Sequence, residues 1–176
     1  KYSDFLLTSF FEGQNMKKKN IWVFDLDGTT IDSTHRQITN PDGTLNLDLW
    51  RHNSTRSKIF KDKLLPLGEF MRMLVATKDQ IVWICTAREL SQDDLEFLDK
   101  KGLLVNTILS RKKGDTRKDW QLKRGQLKRM INLKNCSADR ILFYDDNSFN
   151  RKAVKSLGIR VGDQHGNMRE PFPDMV

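Results

Sequence analysis

Asp25 and Asp27 stand either side of Leu26, directly after the apolar run Ile-Trp-Val-Phe, and Gly28 and Thr29 follow them. Residues that alternate along a strand end face the same crevice, and a glycine lets the chain turn sharply away. A second acidic pair, Asp145 and Asp146, follows the run Ile-Leu-Phe-Tyr. Carboxylates that converge in one crevice repel each other unless a cation joins them, and oxygen-only ligands suit a hard ion such as Mg2+. A carboxylate beside such an ion can attack a phosphoryl group and form an aspartyl phosphate. A second carboxylate can protonate the leaving group and then activate water. A hydroxyl and a lysine would hold the transferring oxygens. Thr86, just after the run Ile-Val-Trp-Ile-Cys, and Lys123 offer those groups.

These side chains meet only if the elements beneath them bring them together. Apolar runs at 21–24, 81–85, 104–109, 141–144 and 159–161 read as strands. Between them, 66–78, 91–102, 119–133 and a segment after 147 show helical spacing or helix start and stop signals. Ser91 stands at a capping position, with Asp93 and Asp94 in the first turn and Gly102 beyond the end. Strands alternating with helices predict an α/β fold, a Rossmann-like and mainly parallel sheet with helices on both faces. Sites in such sheets form beyond the carboxyl ends of the strands, here directly after Phe24, Cys85, Leu109 and Tyr144. Residues 32–65 break the pattern. They are polar, with a turn at Pro41-Asp42-Gly43, and a stretch of that length between a strand and its helix is expected to be functional or mobile.

The 176 residues suffice for one domain with a real core, and the formal charge of +8 favours anionic partners such as nucleic acid or nucleotides. Cys85 and Cys136 form neither a CxxC pair nor a disulfide framework, which predicts a reducing compartment. No run approaches the ~20 apolar residues of a membrane span, and Phe5-Leu-Leu-Thr-Ser-Phe-Phe11 lacks the basic leader of a signal peptide. The expected organisation is an extension at 1–15 and a single domain at 16–176 carrying a small flap insert over about 32–65, with no full capping domain.

Phe-Asp-Leu-Asp-Gly-Thr, then Thr86-Ala87-Arg88, a downstream lysine and Asp145-Asp146 resemble, in that order, the four signature motifs of the haloacid dehalogenase-like (HAD) phosphohydrolases. The resemblance covers roughly residues 20–163. It implies Asp25 as nucleophile and Asp27 as general acid/base. It implies Thr86 on the phosphoryl group and Lys123 on the charge shared by nucleophile and phosphate. Mg2+ would be the cofactor, held by Asp25, Asp145, Asp146 and the backbone carbonyl of Asp27, and Thr29 belongs to the same substrate-facing loop.

The run Gly114-Asp115-Thr116-Arg117-Lys118-Asp119, ending in Lys123, is similar to the phosphatase half of phage polynucleotide kinase/3′-phosphatases. That resemblance implies substrate contacts by Arg36 and Arg88 and lends Arg117 and Lys118 to the rim of the site. Thr-Ala-Arg departs from the Ser-Gly-Arg of that family, and Asn147 replaces its arginine. No GxxxxGK[ST] phosphate loop is present, so a kinase or ligase would be a separate partner. The leading expectation is therefore a Mg2+-dependent removal of 3′-phosphate from nucleic-acid ends in the cytoplasm, the host's if the chain is phage-encoded. The alternatives are a nucleoside monophosphate phosphatase and a catalytically weak nucleic-acid-binding module. Trp50 in the insert suits either base stacking or anchorage of the flap, and the basic helix around 122–134 either a phosphate-binding stripe or a solvated face.

Overall fold

The computed structural model describes residues 19–77, 79–105 and 107–168. The expected extension at 1–15 lies outside them. Five strands form one sheet: β1 (Ile21–Phe24), β4 (Ile81–Cys85), β5 (Thr107–Leu109), β6 (Ile141–Tyr144) and β7 (Arg160–Gly162). Their order is β5-β4-β1-β6-β7 and every pairing is parallel. The expected α/β, Rossmann-like fold is the observed one.

Alternation along the strands builds both faces. Ile21 and Val23 of β1, Trp83 and Cys85 of β4, and Ile141 and Phe143 of β6 point to one side. They are covered by Leu127 of α5 (Asp119–Lys134) and Val154 of α6 (Ser148–Lys155). Phe24, Ile84 and Tyr144 point the other way, against Met71 of α3 (Pro66–Ala76) and Phe97 of α4 (Gln92–Lys100). Burying both faces of a sheet is what makes its strands read as continuous apolar runs. Cys85 is one of those core side chains and its thiol is pushed up by burial, which makes it inert at neutral pH.

β1 is the switch point. Its register sets Phe24 beside Ile84 on one flank and Tyr144 on the other. The chain ends of β1, β4 and β6 therefore open into one crevice, where such sheets place their sites. Of the strand expected over 104–109, the structure describes β5 at Thr107–Leu109, paired with Trp83–Cys85 at the edge of the sheet.

The insert has more structure than its polar sequence suggests. β2 (Ile31–Asp32) and β3 (Lys63–Leu64) pair antiparallel and close its base. A helical turn at Thr34–Arg36 and helices α1 (Leu47–Asn53) and α2 (Arg56–Ile59) lie between them. Asn46 caps α1 by accepting the Leu49 N–H at 2.9 Å. Arg56 fastens the flap to α4 through Asp93 and Glu96 at 2.9 and 2.5 Å. Among the described residues, no helix is long and apolar enough to cross a membrane.

Candidate active site

Lys123 sits one turn into α5 and reaches the crevice almost completely buried. Its Nζ lies 2.8 Å from Asp25 Oδ1 and 2.6 Å from Asp145 Oδ2. The first, third and fourth sequence motifs thus meet at one ammonium group. Two features of local structure fix these carboxylates. The Asp25 amide donates to Tyr144 O at 2.9 Å, which locks the end of β1 to the end of β6. Asp145 accepts from the amide of Asn147 at 2.9 Å and from Asn150 Nδ2 at 3.1 Å to each oxygen. Arg151 donates to the carbonyls of Asp145 and Asp146 at 2.6 and 2.7 Å. Asn150 and Arg151 escaped sequence reasoning, although their places five and six residues beyond Asp145, on the helix that follows it, were a usable signal.

Asp25, Asp145 and Asp146 each offer a carboxylate oxygen, all within 4.8 Å of one another. Burial raises the Asp25 carboxyl well above the usual range; Lys123 opposes that shift and Asp145 adds to it. Burial and the neighbouring Asp145 raise Asp146 as well. One ammonium does not balance three carboxylates, and an all-oxygen set of this spacing fits Mg2+. The loop before the cluster is shaped for it. Gly28 has φ +75°, and a Cβ there would lie 2.7 Å from Asp146 Oδ2. Thr29, expected near substrate, is instead fully buried and accepts the Asp146 N–H at 2.9 Å, so it places Asp146. Gly28→Ala is expected to raise the Mg2+ concentration for half-maximal activity by about 10- to 100-fold, as loss of ligand support commonly does. A Mg2+ titration at fixed substrate reads this, and an unchanged curve removes Asp146 from the ligand set.

Asp27 lies on the other side of the crevice. Ser33 Oγ donates to its Oδ1 at 2.6 Å and Arg88 Nε to its Oδ2 at 3.0 Å, with a second, closer contact from Arg88 Nη2 to Oδ1. Burial by itself would raise the Asp27 carboxyl; the charge and hydrogen bonds of Arg88, with Ser33, hold it below the ordinary value. Asp27 therefore rests as a carboxylate. Thr86 is buried at the end of β4 and accepts the Arg88 N–H at 3.1 Å.

The expected substrate contacts fare unevenly. Arg88 is brought to the site, but its guanidinium is spent on carboxylates: besides Asp27 it donates to Asp94 at 2.7 Å. Arg36 is fully buried inside the insert, paired with both oxygens of Asp62 at 3.0 and 2.8 Å and with Ser54 at 2.9 Å. Its expected role on substrate gives way to a structural one, because a buried guanidinium must be neutralised and hydrogen-bonded. Trp50 lies over Arg36 at 4.1 Å and Arg88 at 5.5 Å, so it anchors the flap. Arg117 is exposed and paired with Asp115, whose carboxyl its hydrogen bonds hold down at about 2. Lys118 is exposed at the start of α5. Asp119 pairs with Arg111 at 2.6 Å. Arg111 also donates to Ala87 O at 2.9 Å and so ties the basic loop to the second motif. Asp62 gave no sequence signal, and Asp94 read only as an acid in the first turn of a helix.

The sequence profile of the bacteriophage T5 5′-deoxynucleotidase matches residues 13–166. The chain belongs to that family. Within it, the 5′-deoxynucleotidase of Escherichia phage T5 is 40% identical over 86 residues, which span 47% of this chain and 35% of the phage protein. Solved structures share the fold at lower identity. A haloacid dehalogenase-like hydrolase from Streptococcus pneumoniae has a TM-score of 0.60 at 13% identity, covering 81% of this chain and 83% of its own. A phosphatase from Clostridium difficile, described as putative, has a TM-score of 0.61 at 17% identity, covering 82% and 84%. A chain of the Pnkp1/Rnl/Hen1 RNA repair complex has a TM-score of 0.54 at 19% identity, covering 81% and 41%. This T5 5′-deoxynucleotidase-family chain therefore has the HAD fold, as its motifs implied.

Proposed function

We propose that the protein is a Mg2+-dependent phosphomonoesterase that removes the 5′-phosphate from deoxynucleoside monophosphates through an aspartyl phosphate. The observation that carries this is the meeting of Asp25, Lys123 and Asp145 at one buried point, with Asp27 held across the crevice. Family membership supports the 5′-deoxynucleotide. The expectation of a 3′-end substrate loses its support, since the family is named for 5′-deoxynucleotides and Arg36 is locked inside the flap.

In the first half-reaction an Asp25 oxygen attacks phosphorus and the bond from phosphorus to the nucleoside 5′-oxygen breaks. The departing oxygen takes a proton from Asp27, which draws that proton from solvent as the phosphate's charge enters beside the Arg88-paired carboxylate. In the second, Asp27, again a carboxylate, takes a proton from water. The water oxygen attacks phosphorus, phosphate leaves, and the Asp25 carboxylate is restored. Lys123 keeps Asp25 oriented and balances charge during both steps. Thr86 borders the phosphoryl position at the end of β4. A Mg2+ ion on Asp25, Asp145 and Asp146 would lower the repulsion between nucleophile and phosphate.

The test is a substrate panel with Mg2+: the four deoxynucleoside 5′-monophosphates, the ribonucleotides, nucleoside 3′-monophosphates, and 3′-phosphorylated oligonucleotides. The expected result is the highest kcat/KM on deoxynucleoside 5′-monophosphates, with less than about a threefold change between 50 and 200 mM salt. A polymer substrate would lose far more over that range, because several phosphate contacts release counterions together. Preference for the 3′-phosphorylated oligonucleotide overturns the proposal.

A further inference from the structure

Arg88 is gripped from three sides. Asp27 takes its Nε and Nη2, Asp94 takes Nη1 at 2.7 Å, and Asp62 of the insert stands 3.7 Å from Nη2. The Arg88 and Asp94 side chains are 4% and 3% exposed. Asp94 divides its two oxygens between two tasks. Oδ2 accepts the Ser91 amide and hydroxyl, each at 2.8 Å, and closes the capping box of α4. Oδ1 points away from the helix and takes Arg88. A helix cap needs only the first of these. The second joins α4 to the guanidinium that contacts both oxygens of Asp27.

We infer that Asp94 is a positioning residue of the active site: it anchors Arg88 so that the guanidinium holds the Asp27 carboxyl where a leaving oxygen must receive its proton. Asp62 backs the same guanidinium from the flap, so the insert and α4 bear on Asp27 through one side chain. The inference rests on the proposed role of Asp27, and it makes a prediction that a purely structural Asp94 does not. A nucleoside 5′-alkoxide is a poor leaving group and needs the proton, whereas p-nitrophenolate departs without it. In the first half-reaction a misplaced Asp27 therefore slows alkyl esters and spares aryl esters, and kcat/KM reports that half-reaction alone, before Asp27 acts on water.

Asp94→Asn separates the two tasks. The amide oxygen can still serve Ser91, which leaves an NH2 group facing Arg88, donor against donor. The expected kcat/KM on a deoxynucleoside 5′-monophosphate falls on the order of 100-fold, the scale of a misplacement of about 1 Å. The kcat/KM on p-nitrophenyl phosphate falls by less than about threefold. Ser91→Ala, which weakens the cap and leaves the Arg88 contact, is the control. It lowers Tm and leaves the ratio of the two kcat/KM values unchanged. Equal losses of kcat/KM on both substrates in Asp94→Asn, or no loss on either, overturn the inference, as does a changed ratio in Ser91→Ala.

Wild-type protein supplies a measurement that needs no variant to fold. An anchored Arg88 shows separate NMR signals for its two Nη groups because rotation of the guanidinium is slowed, and a single averaged signal overturns the inference. Wild-type enzyme that ignores deoxynucleotides but cleaves another alkyl phosphate sinks the substrate assignment alone. The comparison of leaving groups then runs on that ester.

Discussion

Asp25→Asn is expected to reduce turnover of every phosphate ester by at least about 1,000-fold, while the protein stays folded. The change keeps the size of the side chain and removes the nucleophile, and an amide cannot form the acyl phosphate. Single removals of a covalent nucleophile cost this much or more because the remaining groups act as a unit with it. The effect on stability runs the other way. Asp25 is one of three facing carboxylates, buried beside Asp145 and compensated by Lys123 alone. Removing one negative charge lowers that repulsion, so in chelator the variant should melt at the wild-type temperature or above it. Residual hydrolysis within tenfold of wild type, on either an aryl or a nucleotide ester, would show that a different group attacks phosphorus. A lowered Tm with lost activity would point to a structural role for Asp25.

Lys123→Met carries the second large effect. Methionine approximates the length and packing of lysine, so the change removes a charge with little change of volume. It leaves Asp25 and Asp145 buried and facing each other without the cation that lies 2.8 and 2.6 Å from them. Breaking a buried ion pair by deleting one partner costs about 3–5 kcal/mol, because the other charge stays desolvated and uncompensated. In chelator the variant should unfold at a clearly lower denaturant midpoint. Mg2+ should recover part of that loss, since it would bind the same oxygens and a ligand of the folded state stabilises it by mass action. Activity should fall at least about 100-fold even with saturating metal, because the charge on the attacked phosphoryl group then lacks its fixed counterion. Equal stability of variant and wild type without metal would mean that the Asp25–Lys123–Asp145 contact contributes nothing to the fold.

Much of the scaffold was legible because it is local. A strand buried on both faces is written as an unbroken apolar run, and β1, β4 and β6 all read that way. The cap of α4 was legible for the same reason: Ser91 and Asp94 lie three residues apart and satisfy one helix end. The edges were less clear. Of the strand expected at 104–109, Thr107–Leu109 pair with β4. The insert read as polar loop, yet β2 and β3 close it, and two residues of each are too few to show a period.

The site divides along the same line. Asp25, Asp27, Thr86, Asp145 and Asp146 follow directly from their strands, and a parallel sheet must deliver its strand ends to one crevice. Lys123 needed help from family resemblance, with three other lysines nearby; burial on α5 between two carboxylates now singles it out. The pairings among arginines and acids were beyond sequence. Arg36 finds Asp62 across 26 residues, and Arg88 finds Asp27 across 61. Such partners are chosen by which charges are buried together, and a buried guanidinium takes the carboxylate that folding presents. The amino-acid sequence by itself determined the sheet, the crevice and the carboxylates that face it. Only the tertiary structure decided which cation serves each carboxylate, because that depends on distances between segments far apart in the chain.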